Sequence, residues 1–304
     1  MGFLTYLSKD PVVIDAIRAR ARSIFPDKTP ATLNSDTDFF GRLLNELPRR
    51  VFQDRPSREA RKDLNRALDR TNIDGPAASA SRRDARQEDD LDDVLSLNVS
   101  FKTLQILGQV VRNFAGSLLA EEKTAITLEC FALGLRTLSM LFGVFGTTED
   151  ELVQLIANAV YSDEKQDHEP TRDRAERRAR RLLAWMIEAI TAAVIQRVSS
   201  SIGTETLRMT FDAVQAKGDS IAFDLVDIAI KLDHFSRFPL EEIEALAKRA
   251  EKHSLAMQVL RGLVVMHFYR FPRGYDLKQT CCDRLGMEYR AIARLEFARS
   301  SMKK

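Results

Sequence analysis

Few residues in this chain have types and spacings that could do chemistry. The four histidines, His168, His234, His253 and His267, have no cysteine or second histidine at a metal-ligand spacing, so metal catalysis is not expected. Cys130, Cys281 and Cys282 are too few for a disulfide framework. The adjacent pair suits neither a strain-free bridge nor a C-x-x-C zinc pair, and free thiols are expected. No phosphate-cradling G-x-x-x-x-G-K-[ST], dinucleotide G-x-G-x-x-G, nucleophile-elbow G-x-S-x-G or zinc H-E-x-x-H motif occurs. The densest charge is the run Arg172, Arg174, Arg177, Arg178, Arg180 and Arg181, interrupted by Asp173 and Glu176. Positions 174, 177, 178 and 181 share a helix face, which makes a stripe for nucleic-acid phosphates geometrically available. Asp163, Glu164, Asp167 and Glu169 lie immediately upstream, and no aromatic is interleaved for base stacking. A solvated helix face is the simpler reading.

Arg261 and His267 form the sharpest enzymatic pair. The stretch Arg261-Gly-Leu-Val-Val-Met-His267-Phe-Tyr resembles the loose R-x4–6-H signature of HEPN-type ribonucleases. The resemblance implies a histidine acting as general base or acid at an RNA 2′-hydroxyl, with the arginine stabilising phosphate charge. Gly262 stands where those enzymes carry a polar residue. Six positions along a regular helix are about 240° of rotation, so one phosphate is reached by both only through a distorted helix or a dimer. A histidine capped by Phe268, Tyr269 and Phe271 is more simply a packed, hydrogen-bonded residue. No catalytic residue, metal or cofactor is therefore assigned.

The elements that must position these residues are helices. Most apolar residues recur at intervals of three and four, and no hairpin signature separates alternating runs. Asp10 and Pro11 open a helix carrying Val13, Ile17, Ala21 and Ile24. A second begins near Ser35 and stacks Phe39, Phe40, Leu43, Leu44 and Leu47 before Pro48. Ser57 to Arg70 reads as a short charged helix. Leu97, Phe101, Leu104, Leu107, Val111 and Phe114 share a seam on which Gly108 would admit a neighbouring helix. The next helix, from Leu118 to about Phe145, is apolar nearly all round. Thr148 with Glu151 reads as a capping box opening another helix to Tyr161. After a polar connector, Arg172–Ile202 is a helix whose core face is assigned to Trp185, Met186, Ile190, Ala193 and Val194. Shorter helices come after it at Thr204–Ala216, Ser220–Leu232, Leu240–Lys252, Ser254–Tyr269 and Leu277–Leu285. Arg136 is the only charge between Glu129 and Glu149, in the most apolar helix, so burial demands a carboxylate or carbonyl partner.

The expected fold is all-α, a multi-helix bundle or helical-hairpin array. At 304 residues it is long for one core, so subdomains are expected: residues 1–71, a flexible charged linker at 72–93, and residues 94–304. Lys+Arg at 46 against Asp+Glu at 44 leaves a net charge of +2, so overall charge points to no polyanionic partner. No signal-peptide pattern opens the chain, and the most apolar window, Cys130 to Phe145, is too short for a bilayer and contains Arg136. A cytoplasmic protein without a membrane partner is expected.

The segment from Leu97-Asn-Val-Ser-Phe-Lys-Thr-Leu-Gln-Ile-Leu-Gly to Asn113-Phe-Ala-Gly-Ser117, with Glu129-Cys-Phe-Ala-Leu-Gly-Leu-Arg-Thr-Leu138, resembles the helical region C-terminal to the nucleotide switch of bacterial STAND (NACHT-like) NTPases. Leu225-Val-Asp-Ile-Ala-Ile-Lys-Leu-Asp-His-Phe235 and Val259–Tyr269 are similar to its later part, and Leu4–Pro11 to its beginning. Many members of that family act in anti-phage defence. The family's ATP site is missing here, so no ATP-binding residue carries over. The resemblance implies a non-enzymatic sensor or assembly module, a fragment or split subunit, that binds a protein partner or self-assembles. The loops around Phe235–Pro239 and the face of Arg172, Arg174, Arg177, Arg178 and Arg181 are its candidate surfaces.

Overall fold

The computed structural model describes residues 10–54, 88–164 and 172–291. The expected charged helix at 57–70, most of the 72–93 linker, the stretch 165–170 with His168, and the segment before Asp10 lie outside the described residues. Among the described residues the fold is all-α apart from one two-stranded sheet. In order come α1 (Pro11–Arg22), a 3-10 turn (Ser35–Phe40), α2 (Gly41–Leu44), β1 (Val51–Asp54), α3 (Glu88–Asn113), α4 (Ala120–Glu164) and α5 (Arg172–Ile202). Beyond them are α6 (Arg208–Gln215), α7 (Ile221–His234), α8 (Leu240–Arg249), α9 (Ser254–Arg270), α10 (Tyr275–Arg284) and β2 (Glu288–Ala291). The chain forms two compact units, each from two stretches: Met1–Pro48 with Val99–Leu260, and Arg49–Asn98 with Arg261–Lys304.

In the first unit α4 and α5 pack along each other as an antiparallel hairpin, since Gly134 meets Val198 while Ala157 and Tyr161 lie beside Arg172 and Glu176. Two glycines set how closely α5 is approached. A Cβ on Gly108 of α3 would collide with the backbone carbonyl of Ser201, and one on Gly134 of α4 would collide with Val198. The Gly108 expectation holds, and its neighbour is the C-terminal turn of α5. Ser100 and Thr137 join α3 to α4 by a buried hydroxyl–hydroxyl bond of 2.5 Å, and Thr137 donates back to Leu133 O. Phe131 stacks at 5.3 Å on Phe223 of α7, and Phe40 meets the edge of Phe142 at 5.4 Å.

The N-terminal stretch is stitched onto α4 and α7 largely through backbone groups. Ala31 N donates to Leu135 O, Ser139 Oγ to Thr29 O, Ala222 N to Thr32 O, and Ile221 N to Asn34 Oδ1. Leu33, fully buried, holds φ at 55°, a left-handed conformation that a leucine adopts only when its surroundings enforce it. Arg136 has both kinds of partner that burial demands. Its Nη2 donates to Glu129 Oε1 at 2.8 Å and to Ala21 O, the end of α1, at 2.9 Å; Arg22 Nε reaches the other oxygen of Glu129. The caps agree with the sequence: Asp10 accepts from Val12 N, and Ser220 from Phe223 N.

Two expectations are corrected. No helix starts at Thr148: α4 runs unbroken for 45 residues, roughly 68 Å. Thr147 and Thr148 donate their hydroxyls back to Gly143 O and Val144 O, which satisfies them inside a continuing helix and removes the need for a cap. The core face of α5 is also rotated from the one assigned. Ala175, Ala179, Leu183, Ile187, Val194, Ile195 and Val198 are buried, whereas Trp185 is 55% exposed and Ala193 is exposed. Ala175, Ala179 and Ala184, interleaved with Leu183, Ile187, Ile195 and Val198, make up the buried face of α5.

In the second unit β1 and β2 pair in parallel, Phe52 opposite Tyr289 and Asp54 opposite Ala291, with α10 packed on β2. Gly108→Ala should lower stability by about 1–3 kcal/mol, read from the denaturation midpoint, because a helix backbone must retreat. Gly41→Ala, whose added methyl meets nothing within 4 Å, should be neutral or slightly stabilising. Equal losses from both would contradict the close-approach account.

Candidate functional site

Arg261 and His267 both lie on α9, in the second unit. His267 is 2% exposed, with Phe268 and Phe271 against its ring at 5.9 and 4.9 Å. Its Nε2 accepts from Arg273 Nε at 3.1 Å. Arg261 Nε donates to Leu285 O at 2.8 Å, which ties α9 to the end of α10, where Gly286 makes the turn at φ 61°. Both side chains are thus engaged in holding the unit together. An imidazole enclosed in this way has no open side for a substrate phosphate.

The same unit contains a polar cluster that the sequence reading missed. Phe52 and Asp54 project from one face of β1 by the alternation of a strand, and Tyr289 sits opposite Phe52. Phe52 is fully buried against Phe268, Tyr269 and Tyr289, with centroids 5.4 to 5.7 Å away. Asp54 receives Lys278 Nζ on both carboxylate oxygens at 2.9 Å and Tyr289 Oη at 2.7 Å. Lys278 itself is buried. Burial, then the hydrogen bond to Asp54, pushes the Tyr289 phenol well above its usual range, in keeping with its place as the donor to Asp54. The trio locks α10 and both strands together. A lone lysine in a short helix and an aspartate 224 residues earlier carry no pattern by which sequence could pair them.

The three cysteines are free, as expected from the sequence. All three are buried. Burial raises Cys130 strongly, Cys281 to about 12 and Cys282 to about 11, the last two with help from Cys282 and from Asp283 and Asp54 respectively. Among the described residues no group of three or more His, Cys, Asp or Glu is placed to hold a metal ion.

On the first unit two surfaces were expected to matter. Around the Phe235–Pro239 corner, a cavity of about 220 Å³ is lined by Arg208, Asp212, Lys231, Phe235, Pro239 and Glu242, among others. The Arg208 guanidinium lies 4.8 Å over the Phe235 ring. On α5, Arg172, Arg174, Arg177, Arg178 and Arg181 are all exposed, and Arg180 pairs with Glu176 at 3.3 Å. The arginines expected to share a face do so, and Trp185, assigned to the core from sequence, stands in solvent one turn beyond Arg181.

Length bears on the membrane question. By length and composition Ala120–Tyr161 and Arg172–Ile202 are each able to cross a bilayer, longer than the apolar window picked out in the sequence; 56% and 50% of their apolar windows are buried inside the protein. Helices that line a core pass the same test. No protein-family model, curated protein or solved structure matches this chain.

The thiol geometry yields a test. At pH 8 the native chain should react with a thiol reagent roughly a hundredfold more slowly than the unfolded chain, because burial and raised pKa values both suppress the thiolate. One cysteine reacting at the unfolded rate would contradict this placement.

Proposed function

We propose that the chain is a non-enzymatic helical interaction module, the sensing or assembly part of a STAND-like bacterial defence NTPase whose nucleotide-binding core resides elsewhere, working in the cytoplasm on a protein partner. One observation carries the reading. Three of the stretches on which the resemblance rests pack the first unit: Gly108 lies against Ser201, Gly134 against Val198, Arg136 between Glu129 and Ala21, and Leu225–Leu232 is buried almost throughout. Residues of such motifs build a body rather than a pocket. A module that responds to a trigger needs a rigid body with exposed surfaces, and the Phe235 corner and the arginine face of α5 supply them.

The alternative, a HEPN-like ribonuclease using Arg261 and His267, has weaker support. His267 is enclosed and bonded to Arg273, and Arg261 is spent on Leu285 O. Purified full-length chain, incubated with ATP and with RNA, separates the two. The interaction module should leave both intact. RNA cleavage abolished by His267→Ala and by Arg261→Ala would replace it with the ribonuclease, and ATP hydrolysis would remove it altogether.

A further inference from the structure

The helices that follow α5 meet around one glutamine. Gln215, at the end of α6, donates its side-chain Nε2 to Asp224 Oδ1 of α7 at 3.4 Å, and the same side chain lies against Asp227, one turn farther along α7. Two buried oxygens in this cluster receive no donor: Gln215 Oε1 and Asp227 Oδ1. Asp227 is only 5% exposed, and its other oxygen takes Lys231 Nζ at 2.8 Å. Turning the Gln215 amide over would give Asp227 a donor and withdraw the one on Asp224.

Charged groups come to this cluster from three helices. From α6 come Asp212, whose charge acts on Asp227, and Arg208, which is held by Glu205 and lies over Phe235. Asp224 and Lys231 are on α7 itself. From α8 come Arg249, which bonds both Asp224 and Asp219, and Glu242, 3.8 Å from Lys231 Nζ. Burial raises Asp227 above the ordinary aspartate value, the bond from Lys231 opposes that rise, and the Asp212 charge adds to it. A proton answers the whole arrangement. Oδ1 becomes a donor, Gln215 Oε1 is an acceptor in the same cluster, and the buried side chain loses the charge that burial penalises. Neutral Asp227 no longer attracts Lys231. The carboxylate left within reach is Glu242, which lines the Phe235 cavity together with Lys231.

We propose that Asp227 is a proton-operated latch between α7 and α8: ionised, it holds Lys231 on its own helix; protonated, it donates to Gln215 and releases Lys231 to Glu242 across the Phe235 cavity. The latch is a property of the first unit alone and stands whether or not a partner binds at that corner. Its direction with pH follows from which state holds the proton more tightly. The folded chain does, so the contribution of Asp227 to stability is full below the unfolded aspartate value of about 4. That contribution is lost as pH rises through the higher folded value.

The test is an NMR pH titration of the full chain with carbon-13 in its aspartates and lysines. The Asp227 carboxyl carbon, assigned through its own backbone amide, should titrate above the midpoint of the same carbon in the urea-unfolded chain. Lys231 Cε should follow it with the same midpoint. Glu242→Gln, at an exposed position, should leave Asp227 titrating and shrink the Lys231 response. Asp227→Asn, whose amide can donate to Gln215 at every pH, should raise the urea midpoint over that of the parent chain by a margin that widens from about pH 4 to about pH 7. Where that variant does not fold, the titration of the parent chain decides alone. An Asp227 midpoint at or below the unfolded one would overturn the proposal. So would a Lys231 signal that ignores Asp227, a Lys231 response unmoved by Glu242→Gln, or a margin for Asp227→Asn that does not change with pH.

Discussion

The first unit depends on how closely α5 is approached at its C-terminal end. Gly108 of α3 and Gly134 of α4 both face residues 198–201, and each leaves no room for even a methyl group. Backbones brought that near convert α5 from a surface helix into a strut between two others. That distance sets the packing along the rest of the helix. Ala175, Ala179 and Ala184 keep α5 narrow farther along, α4 can run its full length beside it, and the bulky Trp185 has no room on the inner side.

A buried polar cluster in each unit fixes geometry. In the first unit Arg136 joins two helices that apolar packing alone would let slide: its guanidinium bonds the Glu129 carboxylate on its own helix and the Ala21 carbonyl near the end of α1. In the second unit Asp54 satisfies Lys278 and Tyr289 at once, which fastens two strands that are adjacent in space and distant in sequence. Each cluster is built from charges that would be costly if left alone in the interior. That cost makes the pairings specific.

Helical periodicity is readable almost everywhere because each amphipathic face is written locally. Asp10–Pro11, Ser220 and the end of α3 at Asn113 are placed by sequence to within a residue or two, and the demand of Arg136 for a partner comes from its neighbours alone. The parallel strands are not readable. Val51–Asp54 is too short to alternate visibly, and its partner lies more than two hundred residues away with no turn between them. Thr148 misleads because a hydroxyl near a helix end and one bonding back within a helix share the same sequence signature. Trp185 misleads for a different reason. Bulk suggests burial, although its register with Arg174, Arg178 and Arg181 already places it on the charged side. Sequence locates Arg261 and His267 on one helix, but the partner that engages His267, Arg273 across the turn, lies outside any local motif.

Hydrogen–deuterium exchange of the full chain tests the glycine-seam account most directly. If the approach of α3 and α4 to α5 holds the first unit, amides of residues 130–142 and 194–202 should exchange last, through global opening, and residues 143–161 earlier. Exchange in 194–202 as fast as in 143–161 would contradict it.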